Sequence, residues 1–297
     1  GRQDLANMAK YYEGLIKNFP KTSPAALAEA HFLLGRAAFD QGDFQSSISH
    51  MSEAKTLDPQ KYGEQVNVLT VLSYHKLQDV NKLKEALETL QKENPAAVSR
   101  VPDVIPAWLG LQAYGMKDLE TADKYMTWAT QNDQLQNVKK VIWRNLAKVR
   151  LALKKYDRAL VASNNFLKVE DQPYRRADGM LDKASILLGL GKYAEARKTA
   201  EEALALGVEG PLMASLKIVL GDISYAEKKF DEAAKHYGVT AELFVNDAEL
   251  KPKALFKAAE ALDKAGRKSE ASQYRARLQK EFPDWKQEGE SLPPDAR

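Results

Sequence analysis

Four histidines are the side chains of this sequence best suited to binding a metal or transferring a proton. His31, His50, His75 and His236 lie in different segments of the chain, at spacings that match no metal-ligand motif. We therefore predict that each of them lies on the surface or packs in the interior, and that the chain binds no metal.

Catalytic motifs of other kinds are also missing. Gly189-Leu190-Gly191-Lys192 looks like part of a phosphate-binding loop, but the spacing and the preceding strand of such a loop are absent. The sequence contains 0 cysteines, which excludes disulfides and thiol chemistry. No Ser–His–Asp grouping can be proposed either. The sequence therefore predicts that these residues hold no enzyme active site and no cofactor.

One pair of basic residues has a spacing that suits binding. Arg144 and Lys148 are four positions apart, so a helix places them one turn apart on the same face. Two cations in this arrangement can hold a partner's aspartate, glutamate or C-terminal carboxylate.

A short recurring phrase predicts the elements that position these side chains. Lys229-Phe230-Asp231-Glu232-Ala233 pairs a large apolar residue with a small one three positions later, and similar phrases recur along the chain. The small residues stand at positions 47, 122, 159, 196, 233 and 271, with Leu83 as a divergent member, so that successive gaps are 36, 39, 37, 37, 37 and 38. A nearly constant period of this size is typical of a solenoid.

Each period has the pattern of two helices. In the copy at 214–247, apolar residues recur at helical spacing over 214–226 and again over 231–243, with a short polar break between them. So short a connection indicates an antiparallel hairpin. Gly221 lies in the middle of the first helix, and we expect a neighbouring backbone to come close to it.

These residues resemble the tetratricopeptide repeat family. Residues 28–61 match its pattern through Leu34-Gly35, Ser47 and Pro59, and later copies match through Leu109-Gly110 and Ala122. We count about seven full repeats and an N-terminal half repeat. The resemblance implies an all-α fold, a right-handed α-solenoid of antiparallel helix pairs. The family period of about 34 residues is shorter than the one here, so the extra residues should lie in the turns between repeats.

The resemblance also implies that the first helix of each pair lines a concave groove. The predicted partner-binding residues of that groove are Phe32, Arg36, Phe39, Leu72, His75, Leu111, Tyr114, Arg144, Lys148 and Tyr225. Other positions that face the groove in the same frame are Val68, Ala107, Leu151, Leu181, Ser185, Leu188, Ile218, Asp222, Phe256, Glu260 and Asp263. Packing against neighbouring helices is the alternative for the aliphatic members.

Arg144 and Lys148 resemble the basic half of the carboxylate clamp in chaperone-binding members of the family. The clamp's asparagines should come from neighbouring first helices, where this sequence has Ala107 and Leu111. The comparison therefore favours a looser acid-binding role over a receptor for chaperone tails.

The sequence predicts three segments. Residues 1–20 have the pattern of the second half of a repeat, so we expect that more of the repeat lies upstream in the parent protein. Residues 21–283 form seven hairpins, and residues 284–297 form a mostly disordered tail. The longest irregular stretch, 94–106, contains three prolines and is interpreted as a long turn between repeats, a hinge, or a loop with its own contacts.

Composition limits the partners. The net charge is +3, from 44 basic and 41 acidic residues, and so small an imbalance gives no reason to expect nucleic acid or an anionic membrane. No apolar run approaches the ~20 residues of a membrane span, so no direct membrane insertion is expected. The sequence is compatible with either a cytoplasmic or a periplasmic location. Phe-Pro endings at 19–20 and 282–283 resemble cell-envelope members of the family and slightly favour the periplasm.

Two functions fit these observations. The first is a non-catalytic scaffold that binds a peptide or protein, with an acidic partner as one version and a bacterial cell-envelope assembly factor as another. The second is the regulatory or substrate-docking arm of a larger enzyme whose catalytic domain lies outside this chain. The sequence identifies neither the partner nor the oligomeric state.

Overall fold

The computed structural model describes residues 2–19, 23–131, 136–243 and 248–286, and all regular structure in these ranges is helical. The all-α fold of paired helices that the sequence predicts is therefore confirmed. The chain divides into two compact units, residues 1–135 and 136–297.

Unit 1 contains seven α-helices and a short 3-10 helix in its described residues. The α-helices are α1 (Arg2–Asn18), α2 (Pro24–Gln41), α3 (Phe44–Leu57), α4 (Pro59–Leu77), α5 (Val80–Glu93), α6 (Val104–Gly115) and α7 (Leu119–Ala129). Helix α1 packs against α2, and the later helices form the hairpins α2–α3, α4–α5 and α6–α7.

Unit 2 consists of four hairpins in its described residues. They are formed by α8 (Gln136–Ala152) with α9 (Tyr156–Val169), α10 (Pro173–Gly189) with α11 (Tyr193–Ala205), α12 (Gly210–Ala226) with α13 (Phe230–Leu243), and α14 (Leu250–Lys264) with α15 (Lys268–Glu281). The segment predicted as a disordered tail, 284–297, lies outside the described residues after Lys286.

The turns within all seven hairpins of the described residues share one geometry. Each has a residue with positive φ, followed by a residue whose N–H donates to the carbonyl five positions earlier, as Lys229 does to Ser224 at 2.9 Å. This bond closes the C-terminus of the first helix. In three turns of unit 1 an aspartate also caps the second helix, and the Asp43 carboxylate accepts from the Ser46 N–H at 3.0 Å.

Small residues on the second helices form the contacts between paired helices. Ser47, Ala122, Ala159, Ala196, Ala233 and Ala271 are all fully buried, and so is the divergent Leu83. Because a small side chain lets two helices approach closely, the periodic alanines set the spacing of each hairpin.

Gly221 lies at a close contact, although its neighbour differs from the expected one. A Cβ at Gly221 would meet the aromatic ring of Tyr237, whose Cζ would be only 2.8 Å away. At Gly221 the nearest group is therefore a side chain. At Gly110 a backbone atom is among the nearest, since the Met126 backbone N would be 2.9 Å from such a Cβ.

The irregular stretch after α5 is a packed connection. Pro95–Arg100 forms a 3-10 helix that contacts α4 and α5. Ala97 and Val101 are buried in the same apolar cluster as Leu87 and Leu90 of α5. Of the three interpretations, the stretch thus matches the loop with its own contacts.

Candidate functional site

A concave site lies in unit 2, among the first helices of its hairpins. A cavity of about 960 Å³ opens between α8, α10, α12 and the start of α14. Its floor is aliphatic, formed by Leu151, Leu181, Leu188, Ile218, Val219 and Leu250. We call this site the unit 2 cavity.

Helical spacing explains why these side chains converge. Leu181, Ser185 and Leu188 recur at intervals of four and three on α10, which is one face of a helix. All three line the unit 2 cavity, as do Leu151 on α8 and Ile218 on α12. Six of the positions counted as groove-facing in the sequence thus meet around this cavity. The other six in this unit do not line it: Arg144, Lys148, Tyr225, Phe256, Glu260 and Asp263.

Two carboxylates line the cavity, and Asp222 is the one that accepts hydrogen bonds from two side chains of the protein. One of its oxygens accepts from the Tyr237 hydroxyl at 2.6 Å and from Lys257 Nζ at 2.7 Å. Lys257 and Tyr237 are both buried. Burial and the adjacent Asp222 carboxylate raise the pKa of Tyr237 well above its ordinary value, so the hydroxyl remains a donor.

Asp182, the second carboxylate, forms no hydrogen bond through its buried Oδ2 with any described group. Arg144 Nε lies 3.8 Å and Lys148 Nζ lies 4.0 Å from that oxygen, beyond hydrogen-bond distance. Burial raises the pKa of Asp182 to about 6, and the neighbouring Asp178 adds to this, whereas Lys148 and Arg144 oppose it. Loss of hydration therefore outweighs the attraction of the two cations.

The predicted basic pair is neutralised within the protein. The Arg144 guanidinium donates to Asp178, and Arg144 and Lys148 both face Asp182. Two positive and two negative charges therefore lie together on α8 and α10. This pairing removes the excess positive charge that an acid-binding centre would need.

A smaller pocket in unit 1 brings together three other predicted residues. Phe32, Arg36 and Phe39 of α2 line a volume of about 440 Å³ with α4 and Arg100 of the 3-10 helix. Phe32 is buried and stacks on Tyr62 with ring centroids 4.7 Å apart. Arg36 is exposed, and Phe39 is half-buried. Phe32 is thus part of the core, and Arg36 and Phe39 are the accessible members.

The remaining predicted residues lie in other environments. Leu72, Leu111 and Tyr114 are half-buried, and His75 contacts Trp108 edge-to-face with centroids 5.5 Å apart. Burial and Lys76 lower the pKa of His75, so its ring is neutral at pH 7. Tyr225 is buried against Phe230. Its packing prevents it from acting as an exposed anchor.

Sequence analysis missed Asp178, Asp182 and Lys257. Asp178 follows Arg144 by 34 positions, and Asp182 follows Lys148 by the same interval. That spacing is one helical turn less than the 37-residue repeat, so it places each carboxylate beside a basic residue of the preceding hairpin. This interval was the signal in the sequence that could have revealed the pairing.

Two features that would indicate other kinds of site are absent from the described ranges. No helix among the described residues is both long and apolar enough to cross a membrane. Within the same ranges, no three histidine, aspartate or glutamate side chains are grouped as metal ligands.

Sequence comparison finds one family. Models of the tetratricopeptide repeat match residues 28–61, 181–244 and 253–284. The second of these ranges contains Asp182, Ser185 and Asp222 of the unit 2 cavity. No curated protein matches the chain.

Solved structures with the same fold are distant in sequence. The apo form of RapI is 15% identical, with a TM-score of 0.54 over 88% of this chain and 78% of that one. A Rap protein complexed with competence and sporulation factor is 13% identical, with a TM-score of 0.52 over 95% of this chain and 78% of that one. At these identities the likeness concerns the fold alone.

Proposed function

Because the chain is a tetratricopeptide repeat protein, we propose that it is a non-catalytic interaction scaffold that holds a segment of a partner protein in the unit 2 cavity. The observation that carries this proposal is the cavity itself, an aliphatic surface open to solvent at the first helices of the hairpins. Apolar surface that stays accessible in a folded protein is typical of a binding site.

The size and lining of the cavity suit a short peptide segment. Its volume of about 960 Å³ is at the upper end of the range for sites that enclose a ligand of a few side chains. The aliphatic floor offers burial for one or two apolar side chains, each contributing roughly 1.5–3 kcal/mol before the costs of association. Asp182 and Ser185 add polar groups that can fix the segment's register.

A protein of similar fold with a bound factor supports the proposal. The Rap protein with competence and sporulation factor shows that a helical repeat array of similar architecture holds a bound factor. We extend this to the present chain only as part of the proposal, since the sequence identity is 13%.

The test is to fill the cavity. We would select binders to the full chain from a displayed library of random peptides, then measure their affinity for Ser185→Trp and Ser215→Trp, whose indole rings would enter the cavity from α10 and α12. Glu201→Trp on the exposed face of α11 is the matched control. Circular dichroism and the Tm would verify that each variant folds.

The outcomes are distinct. Peptides that bind wild type and Glu201→Trp but lose at least about tenfold in affinity on both cavity variants support the proposal. Peptides that lose affinity on Arg36→Ala and Phe39→Ala instead would move the site to the unit 1 pocket. Binding that none of these changes affects would contradict a groove site in either unit.

A bacterial cell-envelope assembly factor is the more specific form of the proposal. It rests on the Phe-Pro endings and the serine- and alanine-rich helix starts that follow them. Fractionation of the producing bacterium should recover the protein with the periplasm or with envelope complexes. Recovery with the cytoplasmic fraction would contradict this form and leave the scaffold proposal standing.

A further inference from the structure

The unit 1 pocket has two arginines beside an apolar floor. Aromatic and aliphatic side chains form this floor, namely Phe32, Phe39, Val68 and Leu69. Arg36 of α2 and Arg100 of the 3-10 helix line the same volume of about 440 Å³. Among the described residues of the lining, Asp40 alone is acidic. The pocket therefore combines apolar surface with more positive than negative charge.

The irregular stretch after α5 supplies the second arginine. Ala97 and Val101 are buried, which holds the 3-10 helix against the apolar cluster of α5. Arg100, the residue between them and next to Val101, stays exposed and lies 2.6 Å from Glu64 of α4. The repeat spacing across this stretch is 39 residues, against 37 for the repeats that follow. Arg100 thus comes from a part of the chain that lies outside the regular helix pairs.

Arg36 has hydrogen-bonding capacity that the described part of the protein does not use. Its side chain is exposed and forms no ion pair or hydrogen bond with any described residue. Asp40 is one turn further along α2, yet the two side chains form no ion pair. A guanidinium offers five N–H donors in a planar arrangement that matches a carboxylate. Arg36 can therefore bind a carboxylate without breaking a contact to the described residues.

Charge and apolar lining together indicate the chemistry of the partner. Two positive side chains and one negative side chain favour a group with a negative charge, and the floor favours an apolar side chain next to it. Because both arginines are exposed, a chain can cross the pocket and reach them with a side chain, without ending there.

We propose that the unit 1 pocket is a second binding site of this chain, for a partner segment with an aspartate or glutamate beside an apolar residue. The carboxylate accepts hydrogen bonds from Arg36, and Arg100 adds positive charge at the same pocket. The apolar side chain packs on Phe39 and Val68. This site goes beyond the function proposed for the unit 2 cavity and does not depend on it.

The experiment separates the two sites by filling the unit 2 cavity first. We would select peptides on the Ser185→Trp/Ser215→Trp double variant, from a library displayed through its C-terminus so that each free carboxylate belongs to a side chain. The selected peptides should share an acidic residue beside an aromatic or aliphatic one. Changing this acid to its amide should weaken binding to wild type about fivefold or more, and should have little effect on Arg36→Met.

Charge changes in the lining test the same site from the protein side. Asp40→Asn removes the acidic side chain of the lining and should strengthen binding of these peptides about twofold or more. Arg100→Met should weaken it about threefold or more. Lys92→Met is the control, because this exposed lysine of α5 does not line the pocket and its loss should leave the affinity unchanged.

A comparison class comes from selection on wild type, which should yield peptides for both sites. We call those that bind the full chain and lose affinity on Ser185→Trp the cavity-dependent peptides, and Arg36→Met should not affect them. If the double variant fails to fold, peptides from wild type that are not cavity-dependent replace the selected ones.

The outcomes distinguish this inference from the function proposed for the unit 2 cavity. Peptides without a shared acidic residue, peptides that bind Arg36→Met as well as wild type, or a failure to select any peptide would each overturn the unit 1 site. Cavity-dependent peptides would still support the unit 2 function in each of these cases. Acidic peptides that depend on Arg36, found without any cavity-dependent ones, would support the unit 1 site and contradict the unit 2 function.

Discussion

At the scale of single residues, Asp182 should reduce the stability of the fold. Its pKa of about 6 in the folded protein lies above the ordinary 3.8, so the folded state binds the proton more tightly than the unfolded state does. Stability therefore falls as the pH rises through this range, and the full penalty is present above about pH 6. Asp182→Asn should raise the free energy of unfolding by on the order of 1–3 kcal/mol at neutral pH and leave it unchanged near pH ~3, where the carboxyl is protonated in both states.

Denaturant unfolding of wild type and Asp182→Asn at both pH values would check this expectation. Asp222→Asn is the contrasting control, because it leaves Lys257 buried without its carboxylate and should destabilise by about 3–5 kcal/mol. A variant Asp182→Asn that unfolds more easily than wild type at neutral pH would show that the ion pairs with Arg144 and Lys148 are stabilising. It would also remove the reason to regard Asp182 as a binding residue.

The histidine pair in unit 1 should produce a pH dependence of the opposite sign. His31 Nδ1 and His50 Nδ1 lie 3.0 Å apart across α2 and α3, a contact that requires at least one neutral ring. Burial lowers the pKa of both, His50 lowers that of His31 further, and Glu13, Asp43 and Glu53 oppose the shift. Because protonation is weaker in the folded state, stability is full above the ordinary histidine pKa and is lost as the pH falls through it.

We expect the Tm of wild type to fall more between about pH 7 and pH 5 than the Tm of a His31→Gln/His50→Gln variant. Thermal unfolding followed by circular dichroism measures the difference. Parallel slopes for the two proteins would mean that the pair is solvated well enough to accept a second proton.

At the scale of elements, the hairpin turns contain a strain that can be relieved. Gly42, Gly191 and Gly266 take the positive φ without a Cβ, but Gln78, Lys117, Lys154 and Lys228 adopt it with a side chain, at φ of 55–62°. This conformation costs a non-glycine residue about 1 kcal/mol. Lys228→Gly should therefore stabilise unit 2 by about 0.5–1 kcal/mol in equilibrium unfolding. Gly266→Ala should destabilise it by a similar amount, and a gain from both changes would contradict the assignment.

Gly221 tests the spacing between paired helices. A leucine at this position would clash with Tyr237, a buried ring fixed by its hydrogen bond to Asp222. Gly221→Leu should destabilise by several kcal/mol, at or above the ~1–3 kcal/mol typical of overpacking. Gly63→Ala in α4 is the control, because the added Cβ would have no atom within 4 Å apart from its chain neighbours and the backbone of its own helix. It should be neutral or stabilise by up to about 1 kcal/mol, and an unchanged Tm for Gly221→Leu would contradict the contact.

The hairpins also show which features of the fold can be predicted from the sequence. The buried small residues, the hairpins and the groove-facing side of α10 follow from spacing alone, because a helix and a repeat both have fixed periods. The ring of Tyr237 against Gly221 does not, because it depends on how a long side chain turns within the hairpin. Arg144 and Asp178 lie on neighbouring hairpins, and their separation of 34 positions is about one helical turn shorter than the repeat period. Comparing only the equivalent positions of successive repeats therefore does not reveal this pair.

At the scale of the whole molecule, the small net charge of +3 agrees with what is seen at the unit 2 cavity. Lys257 of the lining is paired with Asp222, and Asp182 of the lining faces Arg144 and Lys148. A partner segment held by such a site gains little from long-range attraction, because the paired charges cancel at a distance. Burial of apolar side chains and local hydrogen bonds should supply most of its affinity.

Salt dependence distinguishes this arrangement from a basic, acid-binding centre. The affinity of a cavity-dependent peptide for wild type should change less than about threefold between about 50 and 300 mM salt, because screening acts weakly on a neutral site. Asp182→Ala would leave Lys148 without a facing carboxylate, so acidic peptides should bind this variant more tightly at low salt and lose that gain at high salt. Fluorescence anisotropy titrations measure both effects. A steep loss of wild-type affinity with salt would indicate that Arg144 and Lys148 contact an acidic partner directly. It would also show that their ion pairs with Asp178 and Asp182 break when the partner binds.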